Sequence, residues 1–85
     1  MASYKIEWKR SAEKELRKLP SQAIARIVQA VGRLADEPHP PGSTKLAGSD
    51  AYRIRVGDYR VIYTNFSDTL VIEIVKVGPR KDVYR

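Results

Sequence analysis

The 85-residue chain has no cysteine and a single histidine, His39, and these two shortages exclude several chemistries at once. Without thiols there is no disulfide to staple a small domain and no thiolate zinc site. With one histidine and no pair of carboxylates at ligand spacing, the residues argue against a metal nuclease and against a ribonuclease built on two histidines. His39 lies inside Pro38-His39-Pro40-Pro41-Gly42, where it reads as a loop residue and not as a catalyst. No metal and no cofactor is expected. Long apolar runs are missing too. The longest, residues 69–77, is interrupted by Glu73 and Lys76 and falls far short of the roughly 20 residues a membrane-spanning helix needs. The first ten residues carry charge where a signal peptide would be apolar. The expectation is a soluble, cytoplasmic protein with no membrane partner.

Acid is scarce relative to base. Sixteen Lys and Arg against ten Asp and Glu leave a net charge of +6, which draws the chain toward polyanions. The length allows one domain, residues 1–85, with one modest core that leans on a partner for stability.

The hydrophobic period changes along the chain. Tyr4, Ile6 and Trp8 alternate with Lys5 and Glu7, the pattern of a half-buried strand. Ser11 reads as an N-cap, and Ala12, Leu16 and Leu19 then recur at helical spacing up to Pro20. Ile24, Ile27, Val28, Val31, Leu34 and Ala35 form the stripe of a second helix that must stop by Glu37, ahead of Pro38. So short a link makes the two helices an antiparallel hairpin on one face of a sheet. Residues 52–56, 59–64 and 69–77 are rich in β-branched and aromatic side chains and predict a three-stranded antiparallel meander, the last strand central. The predicted class is α+β: strand, two-helix hairpin, then the meander.

Register within the meander points toward function. A two-residue hairpin loop at Gly57-Asp58 sets Val56 opposite Tyr59, Arg55 opposite Arg60, Ile54 opposite Val61 and Arg53 opposite Ile62. Tyr52, Ile54, Val56, Tyr59, Val61 and Tyr63 then share the face that meets the helices, and Arg53, Arg55 and Arg60 share the other. Like charges directly opposite cost a few tenths to about 1 kcal/mol, so folding alone would not select this arrangement. An anion completes it, and phosphate matches planar guanidinium forks best. The plain alternative is a solvated face kept basic for solubility. After the last strand, Gly78-Pro79 turns the tail so that Arg80 and Tyr84 fold back over the same face, Tyr84 offering a hydroxyl for proton chemistry or a ring for stacking. The exposed basic run Lys9, Arg10, Lys14, Arg17 and Lys18, with Lys45 and Lys81, supplies candidate RNA contacts, although an ordinary wet helix face has the same spacing.

Taken in order, Tyr4-Lys5-Ile6-Glu7-Trp8, Ser11-Ala12-Glu13, Leu16-Arg17-Lys18-Leu19-Pro20, Lys45-Leu46-Ala47-Gly48, Tyr52-Arg53-Ile54-Arg55, Gly57-Asp58-Tyr59-Arg60-Val61-Ile62-Tyr63 and Val77-Gly78-Pro79-Arg80 with Tyr84 resemble the RelE branch of the RelE/ParE toxin superfamily over essentially the whole chain. The resemblance implies a type II toxin that enters the ribosomal A site, cleaves messenger RNA without a metal, contacts ribosomal RNA, and is held inactive by a RelB-type antitoxin. It implies catalytic roles for Arg53, Arg55, Arg60, Arg80 and Tyr84. The implied chemistry is attack of a ribose 2′-hydroxyl on the adjacent phosphate. Relatives place lysines where this chain has Arg53 and Arg55, and arginine keeps its proton, so neither serves as a general base. Proton transfer is left to Tyr84, to Lys81, or to the RNA and ribosome. A ParE-like gyrase poison and a non-catalytic RNA-binding module are the alternatives.

Overall fold

The computed structural model describes residues 3–79. The elements are β1 (Lys5–Trp8), α1 (Arg10–Arg17), α2 (Ser21–Arg33), β2 (Thr44–Lys45), β3 (Ala51–Val56), β4 (Tyr59–Phe66) and β5 (Val71–Pro79). The strands form one mixed sheet in the order β1-β5-β4-β3-β2, antiparallel except for the parallel pairing of β1 with β5. The expected α+β class and the meander are present, with β5 between β1 and β4. The two-residue edge strand β2 is additional.

Both helices cover one sheet face, α1 packing on β5 and α2 toward β3. Ala12 and Leu16 of α1 and Ile27 and Val31 of α2, with Leu34 just after it, meet Ile54, Val61, Tyr63, Ile72, Ile74 and Val77 of the sheet. These positions recur every three or four residues in the helices and alternate in the strands, which is why one sequence supplies both halves of the core.

Element ends depart from expectation for local reasons. Ser11 is not the cap of α1: the chain passes directly from β1 into the helix, extended Lys9 holds the N-cap position, and its carbonyl accepts the Glu13 N–H at 3.0 Å. The same helix stops at Arg17, two residues short of Leu19, as Lys18 and Leu19 close tight turns onto the Glu15 and Leu16 carbonyls at 3.3 and 3.1 Å. Extended Pro20 then starts α2. The segment after α2 is pinned to the sheet. Tyr4 N–H donates to the Ala35 carbonyl at 2.7 Å, the buried Tyr63 hydroxyl donates to the Pro38 carbonyl at 2.7 Å, and Asn65 Nδ2 bonds His39 Nε2 at 3.0 Å. The His39 ring packs tilted against Tyr52, centroids 4.5 Å apart, and Tyr52 stacks on Tyr63 at 5.8 Å. His39 is thus a loop anchor. No helix among the described residues is long and apolar enough to cross a membrane.

Candidate nucleic-acid interface

The β3–β4 register is the one the hairpin loop predicts: Val56↔Tyr59, Arg55↔Arg60, Ile54↔Val61, Arg53↔Ile62. Gly57 carries the turn at φ +61°, a left-handed conformation that glycine adopts without steric cost. Val61 and Tyr63 point into the core, so Arg60 and Ile62 point away from the helices, and Arg53 and Arg55 stand beside them. Three arginines therefore occupy one face of two neighbouring strands.

Their surroundings differ. Arg55 is exposed, Arg53 is half-buried, and Arg60 is only 2% exposed, with Nη1 3.4 Å from its neighbour's carbonyl at Tyr59. The depth of Arg60 is not apparent from alternation alone. A guanidinium this enclosed is held in place and acts through a less screened medium than one in open solvent.

β5 adds a fourth cation that the strand's apolar pattern concealed. Arg60 pairs with Gly78, Val61 with Val77 and Ile62 with Lys76, but Tyr63 pairs with Ile74, so Val75 is an extra residue in a bulge. The bulge inverts parity. Ile72 and Ile74 would otherwise put residue 76 in the core and residue 77 outside; the inserted residue sends Val77 inward and Lys76 to the arginine face. Here β1 has already ended, its last tie being Lys9 N–H to the Ile74 carbonyl at 2.9 Å, and the edge of β5 would stand bare. Glu15 of α1 fills that gap: one carboxylate oxygen accepts the Val77 N–H at 3.1 Å, and the other lies 3.4 Å from Lys76 Nζ. Sequence reading missed both residues. The available signal was Lys76 itself, which with Glu73 interrupts the apolar run but, unlike Glu73, falls where strict alternation would bury it.

Of the candidate RNA contacts, Lys9, Arg10, Lys14, Arg17 and Lys18 are exposed on or beside α1, with Arg17 paired to Glu13 one turn earlier. Lys18 also lines a cleft of about 340 Å³ with Glu15, Leu19, Lys76, Val77, Gly78 and Pro79. Lys45 pairs with Tyr52 and so belongs to the face away from Arg53. Arg80, Lys81 and Tyr84 lie outside the described residues. Among the described residues no cluster of three or more His, Asp or Glu side chains is arranged to hold a metal ion.

Known proteins share this frame. The family model for the ParE toxin of parDE type II toxin–antitoxin systems matches residues 6–84. A RelE-like toxin protein of Escherichia coli is 34% identical over 95% of this chain and 90% of its own. Toxin RelG of Mycobacterium tuberculosis is 33% identical over 96% of this chain and 97% of its own. In the crystal structure of the RelBE2 toxin–antitoxin complex of Mycobacterium tuberculosis, a chain 27% identical to this one superposes with a TM-score of 0.82, covering 93% of this chain and all of that one. The chain therefore belongs to the RelE/ParE superfamily as a RelE-type toxin of a type II toxin–antitoxin system.

Proposed function

We propose that this toxin is a metal-independent endoribonuclease that cleaves messenger RNA in the ribosomal A site, in the cytoplasm, and is silenced by a RelB-type antitoxin. The observation that carries this reading is the three-arginine face on β3 and β4, placed by a register that sets two like charges against each other. The 2′-oxygen attacks phosphorus, the bond to the 5′-oxygen breaks, and a 2′,3′-cyclic phosphate and a 5′-hydroxyl remain. Such a reaction asks the protein to hold the phosphate in line and to stabilise negative charge on its oxygens as it develops. Arg60, enclosed and fixed, suits the second task; Arg53 and Arg55 suit the first. Arg80 and Tyr84 are assigned with them, Tyr84 for stacking or proton transfer, and Lys81 with the α1 cations for RNA contact. Lys45 is the weakest assignment, given the face it occupies.

The antitoxin reading draws on the RelBE2 complex and on the modest core, which gains stability from any partner that binds only the folded state. The family-model match supports a second reading, inhibition of DNA gyrase without RNA cleavage. Purified toxin incubated with ribosomes carrying a defined message, and separately with gyrase and relaxed plasmid, separates the two. The expected result is a cut message ending in a cyclic phosphate, unaltered when the trace transition metal is exchanged on intact ribosomes, with supercoiling unaffected. Intact message with blocked supercoiling favours the gyrase reading.

A further inference from the structure

None of the three arginines releases a proton, and Tyr84 and Lys81 lie outside the described residues, so among the described residues β3 and β4 bring no donor for the departing 5′-oxygen to the arginine face. We propose that Lys76 is that donor and that Glu15 is the residue that positions it; this rests on the ribonuclease reading above. Three observations converge on Lys76. The β5 bulge at Val75 turns it out of the core and onto the arginine face. Its register partner Ile62 is also the partner of Arg53, so it stands in the row Arg53-Ile62-Lys76, across the sheet. Because Arg60 pairs with Gly78, Lys76 is the diagonal neighbour of Arg60, at about 7–8 Å between backbone positions and within reach of long side chains. A phosphate held by exposed Arg55 and half-buried Arg53 lies on the same sheet face as the lysine.

Glu15 makes the arrangement specific. Its carboxylate is anchored by the Val77 N–H at 3.1 Å and faces Lys76 Nζ at 3.4 Å, so the ammonium group is tethered from a different element and not left to wander. Both side chains stay partly open, 38% for Lys76 and 33% for Glu15, on the wall of the cleft shared with Lys18 and Gly78, so RNA has access to them. The other titratable groups on this face among the described residues, Glu73 with Glu7 and Lys5, lie beyond the bulge beside Thr64 and β1. Glu73 and Glu7 are one row further from Arg60 than Lys76 is, and Lys5 is two. In the proposed step the 2′-hydroxyl gives its proton to water as the O2′–P bond forms and the P–O5′ bond breaks. The electron pair of the broken bond stays on O5′ and takes a proton from the Lys76 ammonium, leaving a neutral amine that water reprotonates.

The test compares two messages on programmed ribosomes, identical except that one carries sulfur in place of the bridging 5′-oxygen at the mapped cut. A thiolate departs without being protonated, so loss of a proton donor is repaired by sulfur and loss of charge or structure is not. Lys76→Arg keeps the positive charge and the pairing to Glu15 but does not give up a proton. It is expected to cut the oxygen message at least about a hundredfold more slowly than the parent, and the sulfur message at nearly the parent rate. Lys76→Met, which removes the charge together with the donor, should be slow on oxygen and only partly restored by sulfur, and Glu15→Gln, which still accepts from Val77, should show a smaller loss that sulfur repairs. Arg60→Ala should be slow on both. If Lys76→Arg matches the parent on oxygen, or is equally slow on both messages, the assignment of Lys76 is overturned. A parent protein that leaves both messages uncut overturns the ribonuclease reading itself.

Discussion

Arg55 and Arg60 face each other as a directly opposed pair, and their environments decide what each substitution measures. Arg60 is almost fully enclosed, so its removal changes packing as well as charge. Arg55 is exposed, which makes it the clean probe of repulsion. Arg55→Gln should raise stability by a few tenths to about 1 kcal/mol at low ionic strength, and the gain should shrink as salt is added. Thermal melts over a salt series measure it; a variant that melts lower at every salt concentration would mean the guanidinium is structural. Tyr63 gives the pH counterpart. Burial pushes its hydroxyl up to about 12, against a partial lowering by the Ser43 hydrogen bond. The unfolded chain loses this proton near its ordinary pKa of about 10 while the folded chain keeps it, so the contribution is whole below pH ~10 and lost as pH rises from there to ~12. The slope is roughly 1.4 kcal/mol per pH unit for this one group. Tyr63→Phe should cost about 0.5–1.5 kcal/mol near neutrality through the lost bond to Pro38, and its alkaline decline in stability should be shallower than the parent's. Parallel declines would remove Tyr63 from the account.

At the scale of elements, the β4–β5 connection stores strain. Leu70 sits at φ +57°, where an L side chain costs about 1–2 kcal/mol, yet it is 41% exposed and contributes little to the core. Its carbonyl still accepts the Lys5 N–H at 2.8 Å, which starts the parallel β1–β5 pairing. Asparagine tolerates this backbone, so Leu70→Asn should stabilise the protein by about 1 kcal/mol, or roughly 4–8 °C in Tm, with that bond retained. An unchanged or lower Tm would show that Leu70 earns its place through packing. Here the limits of sequence reading are visible. The β3–β4 register was legible because a two-residue glycine turn leaves one way to pair the strands, and the alternating aromatics fix which face is buried. The β5 bulge was not, because Val75 and Val77 satisfy an apolar pattern in either parity. Glu15 was equally hidden, since its role exists only where β1 stops short and leaves the Val77 N–H without a strand partner.

For the whole molecule, one sheet divides the tasks. Its helix-covered face holds the core, and its other face gathers Arg53, Arg55, Arg60 and, through the bulge, Lys76. Membership of the RelE/ParE superfamily fits this division, and the central claim is that the charged face is kept for a phosphate at some expense to folding. The most direct measurement is the rate at which Arg55→Gln and the parent cleave ribosome-bound message, taken on the same preparations used for the melts. The account predicts a loss of about a hundredfold or more in a variant that melts at or above the parent temperature. Cleavage close to the parent rate in that equally stable variant would contradict it.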